Sequence, residues 1–167
     1  VGLLDTNAAY RGNLLLAIRS YGTNGKAAVP VLERLLCDSN QASRIYASVV
    51  LREVDPSSAE KAGLGTSQLL AKFNNLSKES KLEAMTILWM SERRNTAFLP
   101  TLSACLADTN AEVRLRATFL FGNYGGEAKQ ALPALTRLLE DSLLEVREAA
   151  TNSINDIDPD FLAKLQK

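Results

Sequence analysis

The chain repeats itself, and this constrains its fold more than any other feature does. Positions 5–56 align on 108–159 without a gap, with 20 identities in 52 positions. DTNA at 5–8 returns as DTNA at 108–111, Tyr21-Gly22 as Tyr124-Gly125, and Asp55-Pro56 as Asp158-Pro159. A shorter period lies inside the long one. Asp5, Asp38, Asn75, Asp108 and Asp141 recur at one interval, apart from a longer gap between Asp38 and Asn75 that a four-residue insertion within 57–65 accounts for. Six residues after each stands a cation: Arg11, Arg44, Lys81, Arg114 and Arg147. Eight residues before three of them stands a proline: Pro30, Pro100 and Pro133. The third copy departs, with Ser67 for proline and Asn75 for aspartate. A period of this length marks an architecture of stacked units, each buried against its neighbours.

Each copy reads as two helices. In the second helix, apolar or small residues recur at i, i+4, i+7, i+8 and i+11, one face of a 3.6-residue period. In the fourth copy these are Val113, Ala117, Leu120, Phe121 and Tyr124; in the fifth they are Val146, Ala150, Ser153, Ile154 and Ile157. Ala47, Ala84, Ala117 and Ala150 hold the second position, where a small side chain lets helices approach closely. First helices carry leucine faces: Leu32, Leu35 and Leu36; Leu99, Leu102 and Leu106; Leu132, Leu135, Leu138 and Leu139. Asp38, Asp108 and Asp141 are predicted to cap the N-termini of second helices. Gly22 and Gly125 fall where a left-handed residue closes a helix. Asp55-Pro56 and Asp158-Pro159 read as N-cap and first position of the next helix. The prolines inside first helices are predicted to bend them.

Proline, aspartate eight residues later and a cation six after that, in paired helices, resemble a HEAT repeat array. AVPVLERLLCD at 28–38 and ALPALTRLLEDSLLEVREAA at 131–150 are similar to short bacterial HEAT-like repeats, a type also found in phycobilisome lyase subunits. The resemblance implies an all-α fold, an α-solenoid of about five helix pairs. The units are expected at about 1–22, 23–56, 57–92, 93–125 and 126–157, with 158–167 starting a further helix. It also implies a hydrogen-bonded ladder between successive repeats, carried by Asp5, Asp38, Asp108 and Asp141 with Arg11, Arg44, Arg114 and Arg147. Asn75 with Lys81 is expected to be a weaker rung, because an amide and an ammonium cannot form the bidentate charged pair. Both ends read as truncated: residues 5–21 are a second helix without its first, and the chain opens on Val1 rather than Met. That predicts a piece of a longer array, ends covered by another chain, or self-association through the open ends.

Composition narrows the chemistry. Nineteen basic and nineteen acidic residues leave no net charge, which argues against nucleic acid as a partner held by bulk charge. Without histidine there is no imidazole base and no His-containing metal site. Cys105 aligns with the core residues Leu35 and Leu138, and Cys37 with Ala107 and Glu140 on a flank; both read as inert thiols. Glu53 with Asp55, and Asp156 with Asp158, read as caps and surface charges rather than acid–base pairs. No phosphate loop, nucleophile elbow or metal spacing is present, so no cofactor is expected. The cation column reads as structural, since a phosphate stripe would leave its aspartates unexplained. No apolar run approaches the ~18 residues of a membrane span, so no membrane partner and a soluble, cytoplasmic setting are expected.

One feature remains. Opposite their core stripe, most second helices are apolar where solvent would favour polar residues: Leu15, Leu16 and Arg19; Ile45, Val49 and Arg52; Leu82, Met85 and Trp89; Leu115 and Phe119. The fifth copy holds Glu148, Thr151, Asn152 and Asn155 there. In the family, second helices line the concave side, which makes this row an apolar strip ringed by Glu79, Glu83, Glu112 and Arg116. Exposed apolar strips with polar rims mark binding surfaces, and Trp, Met and Arg are enriched at their centres. Burial of the row between neighbouring second helices is the competing expectation. The function expected is a non-catalytic scaffold that binds a protein or peptide. The alternative is an enzyme or enzyme subunit on the same scaffold, since phycobilisome lyase subunits and HEAT-like alkylpurine DNA glycosylases show that it can host chemistry.

Overall fold

A computed structural model describes residues 8–92 and 95–165, and among these every regular element is helical. Of the described residues, those up to Leu76 with Glu83–Ser91 form one compact unit, and Ser77–Leu82 with those from Glu92 onward form a second. The long helices are α1 (Ala8–Ser20), α3 (Gln41–Val54), α6 (Lys78–Ser91), α8 (Ala111–Tyr124) and α10 (Leu144–Ile157). These are the second helices of the five copies. The short ones are α2 (Val29–Leu35), α4 (Pro56–Lys61), α5 (Thr66–Lys72), α7 (Leu99–Cys105), α9 (Leu132–Arg137) and α11 (Phe161–Leu165).

The prolines do more than bend the first helices. Pro30, Pro100 and Pro133 each sit in the first turn of a short α-helix that follows a 3-10 segment, Gly22–Ala28, Thr96–Phe98 or Gly125–Ala131. A first-turn residue has no intrahelical acceptor for its N–H, so proline fits there and the helix splits rather than kinks. In the third copy the insertion is taken up by α4 and a turn at Gly63, whose φ of +73° suits glycine. Gly22 and Gly125 also have positive φ, +51° and +54°. Asp55-Pro56 opens α4 as N-cap and first residue. After Asp158-Pro159 the helix starts later, at Phe161.

The capping aspartates need correction. The N-cap of α3 is Asn40, whose side chain accepts from Ser43 N–H at 3.0 Å, and that of α8 is Asn110, which accepts from Glu112 N–H at 3.0 Å. Asp38, Asp108 and Asp141 lie upstream and close Asx turns, accepting from the N–H groups of Asn40, Asn110 and Leu143 at 2.8, 2.9 and 3.1 Å. An aspartate so engaged keeps its second oxygen for another partner.

In the first unit, Leu15, Ile18, Leu32, Leu35, Ala47 and Val50 join one buried cluster with Leu51, Val54 and Ala59. In the second, the stripe Val113, Ala117, Leu120, Phe121 and Tyr124 of α8 and the stripe Val146, Ala150, Ser153, Ile154 and Ile157 of α10 are buried throughout. Helix α8 lies against both α7 and α10. Ser153 Oγ donates to Thr118 O at 2.8 Å across α8 and α10, and Gly122 permits that approach: a Cβ there would lie 3.1 Å from Ser153 Oγ.

Candidate functional site

Two constructions are built on these helices: a ladder of charged bonds and an open groove. The ladder cations share two tasks, and Arg114 performs both. One arm fastens its own loop: Nη1 of Arg44, Arg114 and Arg147 donates to the carbonyls of Asp38, Asp108 and Asp141 at 2.9, 2.9 and 2.6 Å. The other arm reaches the aspartate of the next copy. Arg11 bonds Asp38, Lys81 bonds Asp108 at 2.8 Å, and Arg114 grips Asp141 with Nε to Oδ2 at 2.7 Å and Nη2 to Oδ1 at 2.9 Å. The Arg114 bonds hold the Asp141 carboxyl below its usual range, and the carboxylate in turn raises Arg114. Burial pushes the Asp108 carboxyl up, but the Lys81 bond and the Asn110 N–H outweigh it, so it too is lowered.

The third copy breaks the pattern as its sequence does. Asn75 is exposed at the end of a 3-10 turn, Phe73–Asn75, and the free arm of Arg44 goes instead to Glu83 on α6. Lys81 does not pair with Asn75 but with Asp108, so the rung that the sequence placed on Asn75 and Lys81 is redrawn. Asp5 lies outside the described residues.

The outward row divides. Val49 and Met85 are 0% exposed and are removed from any open strip. Met85 shares its column with Leu15, Ser48 and Thr118, all of them buried. Arg52 is half-buried and donates to Leu64 O and Thr66 Oγ1, both at 2.7 Å, so its guanidinium is tied to the start of α5 and the turn before it. Ile45 and Trp89 are half-buried in the same compact unit as α3.

Leu82, Leu115 and Phe119 do come together. With Ala149 they line a groove of about 420 Å³ whose rim carries Glu112 and Arg116. Phe119 is 54% exposed, a large apolar side chain held open to water. Ala149 falls outside the apolar row of the sequence. Its signal is register: it is the equivalent of Arg116 one copy on, a methyl group in place of a long side chain. Glu112 is bridged to Lys78 at 2.6 Å. Phe119 and Ala149 are shared with a second, polar cleft of about 670 Å³, lined also by Gly122, Asn123, Asn152, Ser153 and Asp156.

Of the thiols, Cys37 is exposed and Cys105 buried, and burial pushes the Cys105 thiol up to about 11. Among the described residues no helix is long and apolar enough to cross a membrane.

The family model that matches, described as HEAT repeats, covers residues 66–167. No curated protein matches the chain. The match spans more than half of the chain and takes in both α8 and α10, while the internal repetition carries the same pattern back through α3 and α1. The chain therefore belongs to the HEAT repeat family, with an all-α fold of the solenoid class.

Proposed function

We propose that this chain is a non-catalytic binding module that holds a protein or peptide segment in the groove around Phe119. HEAT repeats generally mediate protein interactions. The observation that carries the reading is Phe119 itself, 54% exposed beside Leu82, Leu115 and Ala149. An open phenyl ring in an apolar groove leaves unfavourable hydration in place, which a partner's side chain would relieve. The lining also argues against the enzymatic alternative. Its walls are hydrocarbon, and its one lining carboxylate, Glu112, is already bridged to Lys78.

The test is selection of a phage-displayed random peptide library on the immobilised chain, followed by titration of the enriched peptides as synthetic compounds. Phe119→Ser should weaken them by about tenfold or more, as loss of a central anchor does. Leu144→Ser, at an equally exposed apolar residue outside the groove lining, should leave them unchanged. Peptides that bind Phe119→Ser as well as the parent protein would refute the groove as the site.

A further inference from the structure

Resting on that reading of the groove, we infer what its occupant looks like: an extended peptide with one bulky apolar side chain flanked, two residues away on either side, by opposite charges. The argument starts from the two clefts. They share Phe119 and Ala149, so they form one channel between α8 and α10. Along α8 the channel runs from Arg116 past Phe119 to Asn123. On α10, Ala149 is level with Arg116 and Asp156 with Asn123, since each pair occupies the same position in successive copies.

The charges on this channel are separated by its apolar middle. At one end Arg116 is exposed. Its neighbour Glu112 is neutralised by Lys78, and Glu145, exposed a turn before Ala149, lies beyond the lining. At the other end Asp156 is exposed, with the Asn123 and Asn152 amides beside it. From Arg116 to Phe119 is three residues and from Phe119 to Asn123 four, roughly 4.5 and 6 Å along the helix axis at 1.5 Å per residue. A side chain of Arg116's length extends that reach. An extended peptide advances about 6.6 Å in two residues, and its side chains at i−2, i and i+2 point the same way. Spacing and direction therefore fit an acidic residue at Arg116, an apolar anchor on Leu82, Leu115 and Phe119, and a basic residue at Asp156. The peptide direction is free, because exchanging the two charges and reversing the chain gives the same match.

Four labelled nonapeptides test this by fluorescence anisotropy in low salt. Three have a central Phe with charges two residues to either side: one acid and one base, two acids, or two bases. The fourth has the mixed charges with Ser for Phe. The mixed peptide should bind about threefold to fivefold more tightly than either like-charged one, a difference that shrinks in high salt. Arg116→Glu should turn the preference to the two-base peptide, and Asp156→Lys to the two-acid peptide. Both positions are exposed, and circular dichroism checks that the variants are folded. Equal binding of all three Phe peptides overturns the charge assignment and leaves the groove reading intact. Binding of the Ser peptide as tight as its Phe parent, or no binding by any peptide, overturns both.

Discussion

Helices α3 and α8 hold the same place in the repeat, two copies apart, yet their outward faces end differently. Val49 of α3 and Phe119 of α8 are equivalent positions; one is 0% exposed and the other 54%. Beside them, Arg52 is tied down by Leu64 and Thr66, while its counterpart Gly122 has no side chain and opens onto a cleft. The difference lies in what each helix meets. Helix α3 shares its compact unit with Glu83–Ser91, and Arg44 reaches Glu83 there. Helix α8 meets α10, which offers Ala149, Asn152 and Ser153, residues too small or too polar to cover a phenyl ring. Exposure of a repeat position is thus set by the copy that follows it as much as by its own residue.

The sharpest way to break this comparison is to place a carboxylate at both positions. Val49→Asp buries a charge at a position with no exposure to water, and we expect a loss of about 4 kcal/mol or more in urea unfolding, or no folded protein. Phe119→Asp should stay within about 0.5 kcal/mol of the parent. If Phe119→Asp proves as damaging as Val49→Asp, Phe119 is a core residue and the groove does not exist.

The rungs of the two regions should differ next. Arg114 and Asp141 are bidentate and little exposed, with side chains 13% and 7% accessible, whereas Arg44 and Glu83 are 31% and 21% accessible. Arg114→Met takes both guanidinium bonds from the half-buried Asp141 carboxylate and should cost about 2 kcal/mol; Arg44→Met should cost about 1 kcal/mol. The same rungs set an acid limit. Asp141 and Asp108 titrate below the roughly 3.9 of an unfolded aspartate, so their contribution is complete above that value. It is lost as pH falls from about 4 through their lower native values. Urea midpoints between pH 6 and 2 should fall steeply at the acid end, and less steeply in Asp141→Asn.

How far the sequence reveals this depends on which interaction is in question. The period, the helix pairs and the core stripes follow from spacing alone, because a helix has one geometry. The same spacing shows that an aspartate and a cation recur together, but not that the cation crosses to the aspartate of the next copy, which depends on how copies stack. Part of the outward row, Val49 and Met85, fails for the same reason. A wheel drawn on α6 puts Met85 beside Leu82, but its column in the other copies, Ser48 and Thr118, donates to the carbonyls of Arg44 and Arg114 and is buried. Read across copies rather than along one helix, those hydroxyls mark the column as internal. The capping asparagines are equally visible in DTNA and DSNQ, two residues past the aspartates that spacing alone selects as caps.

The smallest effect tests whether α10 departs from its relatives for a reason. Asn40 and Asn110 cap α3 and α8, but the equivalent position before α10 is Leu143, which has no side-chain bond to the helix and is 45% exposed. Its backbone, φ −96° and ψ 132°, is close to that of Asn110 at −86° and 120°, so asparagine can cap there without rearrangement. Leu143→Asn should raise stability by about 1 kcal/mol, and Asn110→Leu should lower it by a similar amount. Little apolar burial opposes the first change, because nearly half of the Leu143 surface already faces water. If Leu143→Asn destabilises the chain instead, the leucine contributes packing that outweighs a cap, and the loop before α10 is part of the core rather than its edge.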